Sequence, residues 1–88
     1  MTLPDITPLQ FSVLAFLQGG EQPGRELRGQ LAGLGLRRSG PAFYQLMSRL
    51  EDAELVAGRY DQKIVDSQII KERFYTITEQ GAAAWEAT

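Results

Sequence analysis

The stretch Arg37-Arg38-Ser39-Gly40-Pro41-Ala42-Phe43-Tyr44-Gln45-Leu46-Met47-Ser48-Arg49-Leu50-Glu51 decides how the rest of the chain is read. Ser39 has the side chain of an N-cap, whose oxygen takes a backbone N–H of the first helical turn. Phe43, Leu46, Met47 and Leu50 recur at the spacing of one buried helical stripe. With about 100° between successive residues, Pro41, Gln45, Ser48 and Arg49 then point away from that stripe, with Tyr44 on its flank. Gln and Arg pair bidentately with base edges, and Ser and Tyr reach phosphates or bases. Two cations just ahead of a helix N-terminus oppose the helix dipole, a conflict that a docked anion such as a DNA phosphate would resolve. An ordinary amphipathic helix with a solvated polar face fits the same residues, so on this stretch alone both readings stay open.

Composition narrows the choice. The chain has 88 residues, no Cys, no His and a formal net charge of −2. That length is one domain, 1–88, near the size at which a single hydrophobic core is marginal. Without cysteine, no disulfide or thiolate-bound metal can support it, which leaves oligomerisation as the expected support. Without His or Cys, the usual general bases, thiol nucleophiles and soft metal ligands are missing, and no Gly-rich phosphate loop is present. Glu51, Asp52 and Glu54 gather at a helix end and read as solvated surface. The expectation is a protein that is not an enzyme and uses no cofactor or metal. No apolar run is long enough to span a membrane, and Met1-Thr2-Leu3-Pro4-Asp5 lacks the regions of a signal peptide. A cytoplasmic location with no membrane partner is therefore expected.

An acidic net charge argues mildly against nucleic-acid binding, but the distribution argues for it. Every Lys and Arg lies between Arg25 and Arg73, and from Arg25 to Arg49 the only acid is Glu26. A local basic face on a near-neutral domain binds DNA with modest non-specific affinity.

Around the central helix, Thr7-Pro8 predicts a first helix with Thr as N-cap, running to about Gln18 and stopping at Gly19-Gly20. Leu9, Phe11, Val13, Leu14, Ala15, Phe16 and Leu17 make it apolar almost all round, so it should be covered on more than one side. Glu21-Gln22-Pro23 reads as a connector. A second helix is predicted from Gly24 to Leu34, with Leu27, Leu31 and Leu34 on one face and Arg25, Arg28 and Gln30 outside it. Gly29 and Gly33 each weaken it by roughly 1 kcal/mol relative to Ala, unless something packs closely against them. Beyond Leu55 the period alternates. Val56–Val65 and Ile69–Ile77 read as two strands joined by a turn at Asp66-Ser67-Gln68, and Thr78 caps a last helix from Glu79 to about Ala87. Helix, helix, helix, β-hairpin, helix is a winged helix-turn-helix: mainly α with a small β-hairpin. In such folds the second helix of the pair enters the major groove, here the one starting at Ser39.

In the order and spacing of these motifs the chain resembles the PadR-like transcriptional regulators over nearly its whole length. Leu3 through Leu17, with Thr7-Pro8-Leu9-Gln10 and Val13-Leu14, is similar to the family's opening helix. Ser39 through Glu51 resembles its recognition helix. Leu55-Val56 and Lys71-Glu72-Arg73-Phe74-Tyr75-Thr76-Ile77-Thr78-Glu79-Gln80-Gly81 resemble its wing strand and the start of the following helix. The resemblance implies a dimeric DNA-binding repressor, often responsive to a small-molecule effector, that contacts double-stranded, palindromic DNA through Ser39, Tyr44 and Arg49 and through the wing residues Lys71 and Arg73. Together with the residue-level reading, the expected DNA contacts are Arg37, Arg38, Ser39, Tyr44, Gln45, Ser48, Arg49, Lys71 and Arg73. The expected homodimer interface draws on the first and last helices through Phe11, Phe16 and Trp85.

Departures from the family pattern are visible too. Glu54 stands where the family has a glycine ending the recognition helix, so a different helix end is expected. Arg25 stands where an aromatic is common. The hairpin tip carries Ile64, Val65, Ile69 and Ile70 in place of a compact basic tip. Many relatives continue past the point matching Trp85 into a long dimerisation helix, so their dimer and ligand pocket are not expected to carry over.

Each singled-out residue also has a plainer role. Arg37-Arg38 is a phosphate contact or a solvated loop. Arg49 reads a base or pairs with Glu51 or Asp52 on the surface. Tyr44 can be partly core with its hydroxyl free. The wing isoleucines are cross-strand packing pairs or a subunit contact, and Trp85 is core or dimer interface. If the wing tip docks a protein, the competing function is a winged-helix protein-interaction module without DNA binding.

Overall fold

The computed structural model describes residues 6–88. Its elements are α1 (Pro8–Phe16), a short 3-10 turn (Leu17–Gly19), β1 (Gln22–Pro23), α2 (Gly24–Gly33), α3 (Gly40–Asp52), β2 (Val56–Val65), β3 (Gln68–Ile77) and α4 (Glu79–Ala87). This is the winged helix expected from the sequence. Any helical start at Leu3, and the reading of Met1 to Asp5, lie outside the described residues.

Each helix start is a local side-chain event. Thr7 Oγ1 accepts from the Gln10 backbone N–H at 3.1 Å, while Gln10 Oε1 accepts from the Thr7 N–H at 3.1 Å, a reciprocal capping box. Ser39 Oγ accepts from Ala42 N–H at 3.3 Å, with proline in the first turn behind it. Thr78 Oγ1 accepts from Gly81 N–H at 2.9 Å and donates to the Glu54 carbonyl at 2.6 Å. That second bond ties the start of α4 to the end of α3.

Two helices end in the same motif with different residues. After α2, Gly35 sits at φ 76°, Leu36 N–H donates to Leu31 C=O at 2.8 Å and Gly35 N–H to Ala32 C=O at 3.0 Å. After α3, Glu54 sits at φ 62°, Leu55 N–H donates to Leu50 C=O and Glu54 N–H to Glu51 C=O, both at 2.9 Å. Both are Schellman closures, which need a left-handed residue. The expected change of helix end at Glu54 is thus not found. Glu54 adopts the backbone that a glycine would, at the steric cost of a Cβ.

Three details correct the sequence reading. Gln22–Pro23 is a strand and not a connector: it pairs antiparallel with β3, Gln22 opposite Tyr75 and Pro23 opposite Phe74, so the sheet has the order β1-β3-β2. Two residues cannot declare a strand by period, and only the open edge of β3 recruits them. The hairpin turn is the pair Asp66-Ser67, both at positive φ (51° and 65°), and Gln68 joins the strand opposite Val65. Leu34 lies past the end of α2 and is exposed, and nothing packs against Gly29 or Gly33.

The core gathers Val13, Leu14 and Leu17 from the first helical segment, Leu27 and Leu31 from α2, Phe43, Leu46, Met47 and Leu50 from α3, Val56 from β2 and Tyr75 from β3. α4 adds Ala84 and packs on α1, where the Phe11 and Trp85 rings stack with centroids 5.9 Å apart. Gly81 lets the start of α4 close on the turn after α3, because a Cβ there would land on the Leu55 carbonyl oxygen.

Two substitutions test this frame. Glu54→Gly relieves the left-handed strain and should stabilise the fold by about 1 kcal/mol, a rise of roughly 4–8 °C in melting temperature for a domain this small. Gly81→Ala should cost more than about 2 kcal/mol, since the obstacle is backbone, and thermal denaturation followed by circular dichroism measures both.

Candidate nucleic-acid interface

α3 divides as its sequence period requires. Phe43, Leu46, Met47 and Leu50 are buried, while Pro41, Tyr44, Gln45, Ser48 and Arg49 are exposed. Tyr44 is 60% exposed, so its ring is not spent on the core, although it meets Phe43 edge-on at 6.1 Å. Arg37, Arg38 and Ser39 are exposed at the helix N-terminus. Arg28 of α2 donates from Nη2 to the Arg38 carbonyl at 3.3 Å, and Arg38 donates to the Arg37 carbonyl at 2.9 Å. These bonds set the connector against α2 and leave it short of acidic neighbours.

The ion pairs sort the cations into two groups. Arg59 gives Glu21 a two-pronged hydrogen bond, from Nε at 2.8 Å and Nη2 at 2.6 Å, and lies 3.8 Å from Asp61. Arg25 bonds Glu72 through Nε, and Lys63 Nζ lies 3.8 Å from the other Glu72 oxygen. Arg73 donates from Nη2 to Glu51 Oε2 at 2.7 Å. Among the described residues, Arg28, Arg37, Arg38, Arg49 and Lys71 have no carboxylate within 4.0 Å. Arg49 therefore pairs with neither Glu51, which bonds Arg73, nor Asp52.

Arg73 was expected in the wing as a DNA contact, and the structure places it differently. Its side chain is 21% exposed, with the guanidinium 4.7 Å from the Tyr60 ring centre and 5.6 Å from that of Tyr75. Gly58 makes the room: a Cβ there would stand 2.5 Å from Arg73 Nη2 and 2.8 Å from Glu51 Oε1. The pair clamps the wing root to the end of α3. Lys71, two pairs nearer the tip and opposite Gln62, is exposed. At the tip Ile64 and Ile69 face each other across the strands yet are 77% and 68% exposed, on the sheet face that carries Arg73 and Tyr75 inward.

Hydrogen bonds from Arg59 and Arg25 hold the Glu21 and Glu72 carboxyls below their ordinary value. The bond to Glu51 pushes Arg73 further up, and burial raises the Tyr75 hydroxyl, which stays neutral. The residues expected at a dimer contact meet one another within the chain. Phe11 and Trp85 stack together, and Phe16 is half-buried against the core. Sequence reasoning named neither Arg28 as a site residue nor the Glu51–Arg73 clamp. Arg28 stood outside the α2 stripe, a usable signal, whereas pairs 22 residues apart leave no local mark. Among the described residues, no group of acids could hold a metal ion and no helix is long and apolar enough to cross a membrane.

No protein-family model and no curated protein matches the chain. Solved structures do. A PadR-family transcription regulator from hypervirulent Clostridium difficile superposes with a TM-score of 0.76 at 16% identity, over 91% of this chain and 81% of that one. A PadR-family transcriptional regulator from Eggerthella lenta gives 0.67 at 27% identity, over 89% and 62%. Bacillus subtilis PadR in complex with operator DNA gives 0.71 at 18% identity, over 91% of this chain and 46% of that one. The fold is that of the PadR-family transcription regulators, and the resemblance drawn from the sequence is borne out at that level.

The lowered carboxyls make stability pH-dependent in one direction. The contribution of the Glu21 and Glu72 pairs is complete above the ordinary carboxyl value of 4.5 and is lost as pH falls through the lower folded values. Acid unfolding followed by circular dichroism should show that loss, and the double variant Glu21→Gln/Glu72→Gln should show a shallower acid limb.

Proposed function

We propose that the protein is a sequence-specific regulator of transcription, a repressor of the PadR-like type, that binds palindromic double-stranded DNA as a homodimer. The observation that carries this is the sorting of charge. Acids pair with Arg25, Arg59, Lys63 and Arg73, and the cations left over cluster around the exposed side of α3, its N-terminal connector and the wing. A Bacillus subtilis neighbour of the same fold was solved with operator DNA. In this reading α3 lies in the major groove with Gln45 and Arg49 toward base edges, while Arg37, Arg38, Ser39, Tyr44, Ser48 and Lys71 reach the backbone. Arg73 serves by holding the wing in place. Two such helices about one DNA turn apart (~34 Å) read a palindrome. Phe16 and the outer side of the Phe11–Trp85 stack supply the dimer contact, in an arrangement that leaves room for a small-molecule effector.

Selection of bound duplexes from a random pool should return a palindromic consensus. Arg37→Ala/Arg38→Ala should weaken binding to every sequence and flatten the dependence of log affinity on log salt by about 0.9 per lost phosphate contact. Gln45→Ala or Arg49→Ala should cost about 1–3 kcal/mol on the consensus and relax base preference at one position. Light scattering at micromolar concentration should give a dimer mass, reduced in Trp85→Ala. The exposed Ile64–Ile69 pair favours a second reading, a winged-helix module that docks a protein. Elution from immobilised DNA at the first salt step, with a stoichiometric protein partner lost on Ile64→Ser/Ile69→Ser, would favour that module over the regulator.

A further inference from the structure

A cleft of about 420 Å³ opens between the start of α2, the first turns of α3 and the wing, lined by Arg25, Arg28, Tyr44, Lys63, Lys71 and Glu72 among others. Glu72 is the one acid in a ring of cations. Its side chain is 15% exposed, one oxygen bonded to Arg25 Nε and the other 3.8 Å from Lys63 Nζ. A single carboxylate thus gathers a cation from α2 and a cation from β2. Arg28 and Lys71 line the same cleft with no carboxylate within 4.0 Å among the described residues. The cleft therefore keeps excess positive charge after its own anion is satisfied. Tyr44 belongs both to this cleft and to the exposed flank of α3, so a polyanion lying along α3 passes the cleft mouth.

We propose that this cleft seats one DNA backbone phosphate and that Glu72 stands in for that phosphate in the free protein. The proposal rests on the DNA-binding reading above and adds a site to it. Glu72 keeps Arg25 and Lys63 gathered at the cleft, so little ordering remains when DNA arrives. It also repels the phosphate that enters beside it. That repulsion lowers affinity for every duplex alike, because a phosphate carries no sequence information. Affinity for specific and non-specific DNA falls by the same factor, so the ratio between them is unchanged. Glu72 thereby acts as a brake on DNA binding as a whole.

Removing one negative charge about 6 Å from a phosphate, in a water-facing cleft, corresponds to roughly a three- to tenfold gain in affinity. Glu72→Gln should show that gain, by fluorescence anisotropy, on the selected duplex and on a random duplex of equal length. Adding Arg28→Ala/Lys71→Ala to Glu72→Gln should abolish it and flatten the salt dependence by about one phosphate. Unchanged or weaker binding by a folded Glu72→Gln overturns the proposal. If that variant does not fold, Arg28→Ala/Lys71→Ala alone must lose affinity uniformly across sequences, and no loss overturns it. Inorganic phosphate, followed through the arginine side-chain NMR signals, separates the sources. Saturation of the wild-type cleft below millimolar phosphate, with no gain in duplex affinity for Glu72→Gln, would assign the cleft to a free anion and overturn the DNA site. Arg37→Ala/Arg38→Ala is the control: if it weakens binding while the Glu72 variants change nothing, only the cleft fails. If the wild type binds no duplex at low salt, the DNA-binding reading and the cleft fail together.

Discussion

The junction of Glu54, Leu55, Thr78 and Gly81 is the constraint on which the rest of the structure depends. Glu54 turns the chain left-handed, and Leu55 N–H closes back on Leu50. The carbonyls of Glu54 and Leu55 then accept from the side chain and backbone of Thr78, at 2.6 and 3.1 Å. Gly81 lies against the Leu55 carbonyl, where no side chain fits. Four elements meet here: the end of α3, the start of β2, the end of β3 and the start of α4. Because the strand register runs unbroken from Val56–Ile77 at this junction to Val65–Gln68 at the tip, fixing it also fixes which residues the wing presents beside α3.

A second constraint is electrostatic. The net charge of −2 says little about binding, because several acids are spent where they stitch the fold together. Glu21 ties the segment before β1 to the outer face of the sheet through Arg59 and Thr76. Glu51 holds the wing root to α3, and Glu72 links the wing to α2. These partly exposed pairs each add little to stability. Their larger effect is subtractive: they neutralise cations away from the exposed face of α3 and leave those around it unmatched.

The wing tip pulls in the opposite direction. Ile64 and Ile69 pair across the strands, which supports the hairpin, but they remain exposed beyond the reach of the core. An apolar tip on a projecting hairpin is a liability unless it is used. The same sheet face therefore carries three environments in succession from root to tip: the core at Tyr75, the ion-pair clamp at Arg73, and open solvent at Ile69.

What the sequence determined by itself was everything local. The N-caps at Thr7, Ser39 and Thr78, the buried stripe of α3 with its exposed polar side, and the switch to alternation beyond Leu55 each depend on residues within a few positions of one another. Their order was enough to name a winged helix. What only the tertiary structure decided involves partners far apart in the chain. β1 exists because β3 offers an unpaired edge some fifty residues later. Arg73 turns inward because Gly58 leaves room beside Glu51, and Glu54 takes a left-handed backbone because α4 locks down the turn that follows. The cleft around Glu72 has walls from four elements and no motif of its own. Periodicity and capping are short-range and can be read along the chain. Charge pairing and edge-strand recruitment depend on distances that only folding sets.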